Sequence, residues 1–342
     1  MNERTVLVTG SLGLVGSAAV ERFLEQGAKV IGVDNNMRMY FFGEEGSVDK
    51  NRVKHERLIQ INQDLRECAG RVVEKYTPDL IIHAAAQPSH DYAATDPITD
   101  FDVNARVTLL LLEAFRKHCS CESVFIYVST NKVYGDHPNN IPYMELDTRY
   151  MPIAFNKYVQ GVNEMMPVDQ CTHSLFGVSK LSGDLLTQEY GRYFKRYTGV
   201  FRCGCITGAA HSGVPLHGFL SYIARCAKEK KKYMIYGFKG KQVRDIIHAK
   251  DLVEAFDAFC RRPSAGAVYN MGGGFYNTIS VIEALKEFGV DYEYFDEPRR
   301  GDHRWYVTDF KLFRTAYPNW RLMITLNEIL DELKQGTHHR IQ

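Results

Sequence analysis

Phe176 and Lys180 stand four residues apart in HSLFGVSK (173–180), so on a helix they share one face. A lysine there can hold its charge against a ribose, a phosphate or a phenol. A phenyl ring can carry no proton. Candidate hydroxyls for the same site come from STNKVYGD (129–136), which supplies Thr130 and, four residues on, Tyr134. Its middle residues, Asn131 and Lys132, offer an amide and an ammonium but no acid. Arg244 in KQVRDIIHAKD (241–251) and Arg299 in EPRRGD (297–302) can make charge-assisted bonds to an anion, although one arginine alone serves equally well in a surface ion pair. His211 and His217, in AAHSGVPLHG (209–218), are further polar candidates, with a structural role open for each.

A second constellation lies at the start of the chain. TVLVTGSLGLVG (5–16) places Gly10, Gly13 and Gly16 after an apolar run and at the head of a helical pattern. Such glycines let the backbone turn tightly and approach a pyrophosphate, whose charge is favoured at a helix N-terminus. Asp34 follows 18 residues after Gly16, at the end of the next apolar run. Its carboxylate suits the diol of an adenosine ribose and repels a 2′-phosphate, so NAD is expected rather than NADP. Arg38 is near enough to keep NADP open.

These residues need a scaffold. Apolar runs at 5–10, 29–34, 79–86, 124–130 and 198–207 have the length and composition of strands buried on both faces. The stretches between them are long enough for crossover helices, as in Asn104–Cys119. The expected fold is α/β, a Rossmann-type doubly wound parallel sheet in residues 1–207 with a smaller C-terminal α/β substrate lobe, mainly 208–342, with crossing of the chain between lobes left open. In that lobe short strands at 232–237 and 268–274 mix with helices at 214–230, 251–262 and 280–288. The polar stretch 136–172 reads as a long loop before the HSLFGVSK helix.

The 342 residues carry a formal net charge of +1, so no strong field favours nucleic acid or an anionic membrane. No run approaches the roughly 20 apolar residues of a membrane span, and the N-terminus has no signal-peptide pattern. A cytoplasmic protein is expected. The eight cysteines have no zinc-like spacing, so no metal site is expected and the thiols read as reduced.

The spacing T-G-x-x-G-x-x-G resembles that of the extended short-chain dehydrogenase/reductase family. QDLRE (63–67), HAAAQ (83–87) and DVNARVT (102–108) resemble its further segments. The resemblance implies cofactor contacts at Asn35, Asp64, Leu65, Ala84, Ala85 and Gln87. It implies that Asn104 ties two strands together, that Thr130 bonds the substrate oxygen, and that Lys180 holds the nicotinamide ribose. STNKVYGD, DNNMRMYFFGEEGS (34–47) and AAQPSHDYAATDP (85–97) are similar to the CDP-tyvelose/CDP-paratose 2-epimerases. Dehydratases of this fold carry an acid pair where this chain has Asn131-Lys132. The implied activity is therefore NAD-dependent epimerisation of a nucleotide-diphosphate hexose at C2 through a transient 2-keto sugar, an isomerase step of carbohydrate biosynthesis. A CDP-hexose is the favoured substrate, and a homo-oligomer, dimer or tetramer, is implied. Ser89, His90, Asn131, Lys132, His217, Arg244 and Arg299 would bind substrate. Arg300 falls where the family often has proline.

One position departs from the pattern. The family's usual catalytic tyrosine is Phe176 here. Three explanations stand: an introduced change that traps substrate, a native residue in a subgroup whose base has moved, or a chain that binds without turnover. If the base has moved, Tyr134 is the first candidate, with Lys132 and Lys180 behind it.

Overall fold

The computed structural model describes residues 4–336 apart from Leu216 and Arg300, so the Arg300 reading lies outside the described residues. The chain opens with β1 (Thr5–Thr9), α1 (Leu14–Glu25), β2 (Lys29–Val33), α2 (Met37–Phe42), β3 (Leu58–Ile61), α3 (Leu65–Tyr76) and β4 (Leu80–His83). Next come α4 (His90–Thr95), α5 (Pro97–Phe101), α6 (Val107–His118) and β5 (Val124–Thr130). A small hairpin, β6 (Tyr143–Glu145) and β7 (Tyr150–Pro152), precedes α7 (Leu175–Phe194), β8 (Tyr197–Cys203) and β9 (Cys205–Thr207). The remainder is α8 (Phe219–Glu229), β10 (Tyr233–Tyr236), β11 (Val243–His248), α9 (Ala249–Arg261), β12 (Ala267–Met271) and β13 (Thr278–Ser280). Then follow α10 (Val281–Phe288), β14 (Tyr292–Phe295), β15 (Trp305–Tyr306), α11 (Lys311–Ala316) and α12 (Leu326–Gln335).

Seven parallel strands form the main sheet in the order β12-β8-β5-β4-β1-β2-β3. Its residues are apolar on both faces because helices cover both. One face packs Val6, Val8, Val30 and Ile126 against α1 and α9 through Phe23 and Phe256. The other packs Leu7, Ile31, Ile81 and Phe125 against α3 and α6 through Val73, Leu111 and Phe115. The strand order reverses between β1 and β4, and ligands of open α/β sheets bind at such a switch point, beyond the strands' C-terminal ends.

Three expectations need correction. The edge strand β3 pairs with β2 although LIQI is half-exposed and was not marked as an apolar run. The run 198–207 is two strands, because Gly204 breaks it and β9 leaves to pair with β11. Residues 267–271, expected in the C-terminal lobe, rejoin the main sheet beside β8. The chain thus crosses to the smaller body after β8 and returns through α9 and β12. That smaller body has its own core of Leu220, Ile223, Ile235, Ile246, Leu285 and Ile329. Within 136–172 the loop carries the β6–β7 hairpin.

Candidate active site

A cavity of about 460 Å³ opens between the switch point and the smaller body, within the size of ordinary small-ligand sites. Gly10 and Gly16 set its floor. Gly10 has φ +66°, and a Cβ on it would lie 2.7 Å from the Ala85 nitrogen, so β1 and the Ala84–Ala85 stretch approach as only glycine allows. A Cβ on Gly16 would fall inside the Gly10 carbonyl. Gly13 caps α1 with no side-chain partner for its first N–H groups, which leaves them for an anion. His83, buried beneath this crest, bridges Thr9 Oγ1 (2.7 Å) and Thr108 Oγ1 (3.0 Å) and fixes the end of β4. Burial, with Lys180 adding to it, pushes its imidazole down to about 3.

Asp34 lines the cavity and accepts N–H bonds from Leu12 (3.0 Å) and Asn36 (2.8 Å). Burial raises its carboxyl above the usual range, against those two bonds. Asn35, Asp64 and Leu65 line the same end, and Asn35 donates to Asp64 at 3.1 Å. Arg38 does not turn toward Asp34. Its guanidinium donates to the Ser212 carbonyl (2.7 Å), meets His217 Nδ1 at 3.2 Å and lies over the Phe42 ring. A glycine cradle, an uncapped helix end and a carboxylate from which Arg38 turns away fit NAD.

At the other end Thr130, Asn131, Lys132, His90, Phe176, Lys180, Arg244, Arg299 and His217 all line the cavity. Two of its lysines are held in low-dielectric surroundings. Lys180 Nζ donates to the Val128 carbonyl at 2.8 Å and sits 4.2 Å over the Tyr127 ring. Lys132 Nζ donates to the Gly301 carbonyl at 2.8 Å. Burial lowers each ammonium to about 8. Arg244 is paired with Asp302. Burial works upward on the Asp302 carboxyl, but Arg244 and Lys132 hold it well below the usual range. Arg299 reaches Asp91 at 3.1 Å.

Four sequence-predicted residues do not present their side chains here. Tyr134 is fully buried outside the cavity, where its hydroxyl donates to Asn270 Oδ1 (2.7 Å) and accepts from Arg202 (3.2 Å). Buried there, it does not reach the cavity and cannot serve as the moved base. Gln87 turns inward to Asp100 (2.7 Å) and the Ser89 carbonyl (2.8 Å). Ser89 caps α4 by accepting from Tyr92 N–H. Asn104 is also buried, but its place differs from a tie between two strands. It clasps the Gln87 backbone (2.9 and 3.0 Å) and bonds Ser179 (3.0 Å), joining the loop after β4 to α7.

Sequence reasoning missed Asp302 and Ser174. Asp302 follows the quoted Arg299-Arg300-Gly301 and had a signal in that run of charges. Ser174 caps α7, accepting from Gly177 N–H at 3.1 Å, and contacts His90 Nδ1 at 2.6 Å. A serine before an apolar helical run is a legible cap; its contact with His90, 84 residues away, is not.

Residues 6–272 match the family described as NAD dependent epimerase/dehydratase. The chain belongs to this family. It is accordingly an NAD-dependent enzyme of the extended short-chain dehydrogenase/reductase type. It is 31% identical to a CDP-paratose 2-epimerase of Salmonella typhi, over 97% of this chain and 98% of that protein. It is 28% identical to a dTDP-glucose 4,6-dehydratase of Salmonella typhimurium, over 78% of this chain and 72% of that protein. The fold is also that of the Thermus thermophilus UDP-glucose 4-epimerase complex with NAD, with a TM-score of 0.76, 22% identity and coverage of 97% and 98%. Among the described residues no helix is long and apolar enough to cross a membrane and no metal-binding cluster is present.

Proposed function

We propose that this enzyme inverts C2 of a nucleoside-diphosphate hexose, with a CDP-hexose as substrate. The observation that carries the reading is the amide–ammonium pair Asn131-Lys132 inside the cavity, directly after Thr130. Eliminating water requires a proton donor for the departing hydroxyl. Among the described residues three carboxylates line the cavity: Asp34, Asp64 and Asp302. The first two lie at the glycine-rich end, and Asp302 is held ionised by Arg244 and Lys132. None is placed to protonate a leaving group, and the Lys132 ammonium is engaged with the Gly301 carbonyl, whereas epimerisation keeps every oxygen. The similarity to a CDP-paratose 2-epimerase supports the same choice of carbon and of nucleotide.

NAD, when bound, supplies reversible acceptance of a hydride from a sugar carbon. The residues of this chain supply the rest. Asp34 and Asn35 receive the adenosine ribose, Asp64 and Leu65 the adenine, and the backbone at Gly10, Gly13 and Gly16 the pyrophosphate. Ala84 and Ala85 wall the cofactor strip. Lys180 directs its ammonium to the second ribose. Arg244, Arg299 and Lys132 hold the sugar nucleotide's diphosphate by charge-assisted bonds, with Asp302 holding the Arg244 guanidinium in an ion pair. Thr130 bonds the reacting hydroxyl, and Asn131 and His217 complete the sugar's surroundings. We further propose a homo-oligomer working in the cytoplasm in carbohydrate biosynthesis.

Incubation with a panel of CDP-, UDP- and dTDP-hexoses, with products read by NMR, tests the reading. C2 inversion with no loss of oxygen is expected. Phe176 favours a second reading, a binding protein without turnover. Tight sugar-nucleotide binding with no product from any panel member would establish it.

A further inference from the structure

Phe176 is 7% exposed and lines the cavity one helical turn before Lys180. Its ring meets the imidazole of His90 edge to face, with centroids 5.0 Å apart at 65°. A proton-carrying side chain is therefore in direct contact with the ring that stands where a phenol is usual. His90 heads α4, and its Nδ1 lies 2.6 Å from Ser174 Oγ at the cap of α7. Its other nitrogen, Nε2, makes no hydrogen bond among the described residues, and the residue lines the cavity.

From this geometry we infer that His90 is the proton carrier of the epimerase, with Ser174 as its positioning residue. The inference rests on the epimerase reading above. With its own proton on Nδ1, donated to Ser174 Oγ, the ring turns a lone pair on Nε2 toward substrate. As the sugar carbon becomes a carbonyl, the hydroxyl O–H bond breaks and that proton goes to Nε2. When the carbonyl is reduced again, the N–H bond breaks and the proton returns to oxygen. The electron pair removed with the sugar's hydrogen is restored in the second step, so the balance over one turnover is zero.

The other candidates are worse placed. Tyr134 faces Asn270 and Arg202. The Lys180 ammonium donates to Val128 and carries a charge below pH of about 8, with no lone pair to accept a proton. Lys132 donates to Gly301 beside ionised Asp302, which favours its charged form. His90 is kept neutral, its imidazole pushed down to about 3 by burial first and then by Lys132 and Arg299, with Asp302 opposing. A diphosphate bound between Lys132 and Arg299 offsets those cations, so substrate itself raises the proton affinity of the ring.

Four proteins decide the matter: the parent, His90→Gln, Phe176→Tyr and the double variant. His90→Gln should lower kcat by about 10²–10⁴-fold with Kd for NAD and for CDP within about threefold of the parent. Adding Phe176→Tyr to His90→Gln should regain at least roughly tenfold in kcat, because a phenol restores a proton carrier on the Lys180 face. Nitrogen-15 NMR of the imidazoles, with the His90 signal assigned by its loss in His90→Gln, should show the Nδ1–H tautomer in the protein without substrate. The assignment is overturned by an active parent whose His90→Gln variant stays within about threefold in kcat. It is equally overturned by loss of CDP binding along with kcat, by no regain in the double variant, or by an Nε2–H tautomer. A parent inactive toward the whole sugar-nucleotide panel instead sinks the epimerase reading, and the relay with it.

Discussion

Replacing Tyr134 by phenylalanine should cost stability and spare catalysis. The phenol is fully buried and stacked on Tyr306, with centroids 6.5 Å apart. Burial pushes it up to about 12. Its hydroxyl joins two groups: it donates to Asn270 Oδ1 at 2.7 Å and accepts from Arg202 at 3.2 Å. Removing the hydroxyl leaves that amide oxygen and one guanidinium N–H without this partner. Asn270 still donates to Val162, and Arg202 keeps Asp184 through bonds of 2.9 and 3.0 Å. The loss is therefore that of one buried donor–acceptor pair, about 1–3 kcal/mol. Unfolding entropy of about 2.1 cal/mol/K per residue gives roughly 0.7 kcal/mol/K for 342 residues, so a loss of about 2 kcal/mol lowers Tm by roughly 3 °C. Differential scanning calorimetry of parent and Tyr134→Phe, with epimerase turnover measured on the same preparations, reads both effects. A kcat within about twofold is expected. A fall of about 10² or more at unchanged Tm is the signature of a lost proton carrier and would refute the placement of Tyr134 in the core.

Asp34→Ala should weaken NAD binding about tenfold or more, since a charged acceptor for the ribose diol is lost. Equal affinity of the parent for NADP, by calorimetric titration, would contradict the role given to Asp34. Affinity for CDP should fall as pH rises through about 8, where Lys132 loses its ammonium and with it the attraction for diphosphate. The sign is set by the charged form binding the anion, and Lys132→Met should weaken binding and flatten that step. Products of any active sugar nucleotide should show no 4-keto-6-deoxy absorbance in alkali; its appearance points to dehydration. Leu109 on α6 and Val178 and Leu185 on α7 are exposed apolar side chains on helices that pack on each other. If the proposed homo-oligomer is built on that face, the parent should sediment as an oligomer and Leu185→Asp as a monomer in analytical ultracentrifugation; a monomeric parent would refute the oligomer, and an unchanged oligomer in the variant would refute this face as its contact.

The parts of the fold legible in sequence are those in which one segment carries its own reason. β1, β2, β4 and β5 are continuous apolar runs because helices cover both faces, and Gly10 is needed by the turn that follows β1. The failures involve partners far along the chain. β12 resembles any short strand, and only its pairing with β8 assigns it to the main sheet. β3 is half-exposed at the sheet edge, so its apolar signal is weak. At the site, the resemblance to the family's motifs marked Thr130, Lys132 and Lys180, which the end of β5, the short turn after it and α7 bring to one cavity. It could not show that Tyr134, at the end of a short 3-10 turn from Asn131, points into the core rather than with Thr130. Gln87 and Ser89 mislead in the same way, because alternate residues of an extended stretch face opposite sides. Ala86, Pro88 and His90 line the cavity, while Gln87 and Ser89 turn from it.

That alternation bears on Phe176. Deleting a hydroxyl from a site built around it leaves the hydroxyl's former partners buried and unsatisfied. Around Phe176 the pattern is different. The Lys180 ammonium is bonded to Val128 and stacked on Tyr127, and His90 is bonded to Ser174 and packed against the phenyl edge. Lys180 Nζ and His90 Nδ1 each have a partner, and Nε2 is the one polar atom of the imidazole left for substrate among the described residues. An edge-to-face contact of this kind contributes about 0.5–1.5 kcal/mol beyond the area it buries. A tyrosine at 176 would have to share its neighbourhood with the imidazole. Phe176→Tyr alone should therefore give far less than the 10²–10⁴-fold gain expected where a proton carrier is simply missing. A gain of that full size in the parent background, with His90 intact, would mean that the imidazole carries no proton and that the site lacks its base.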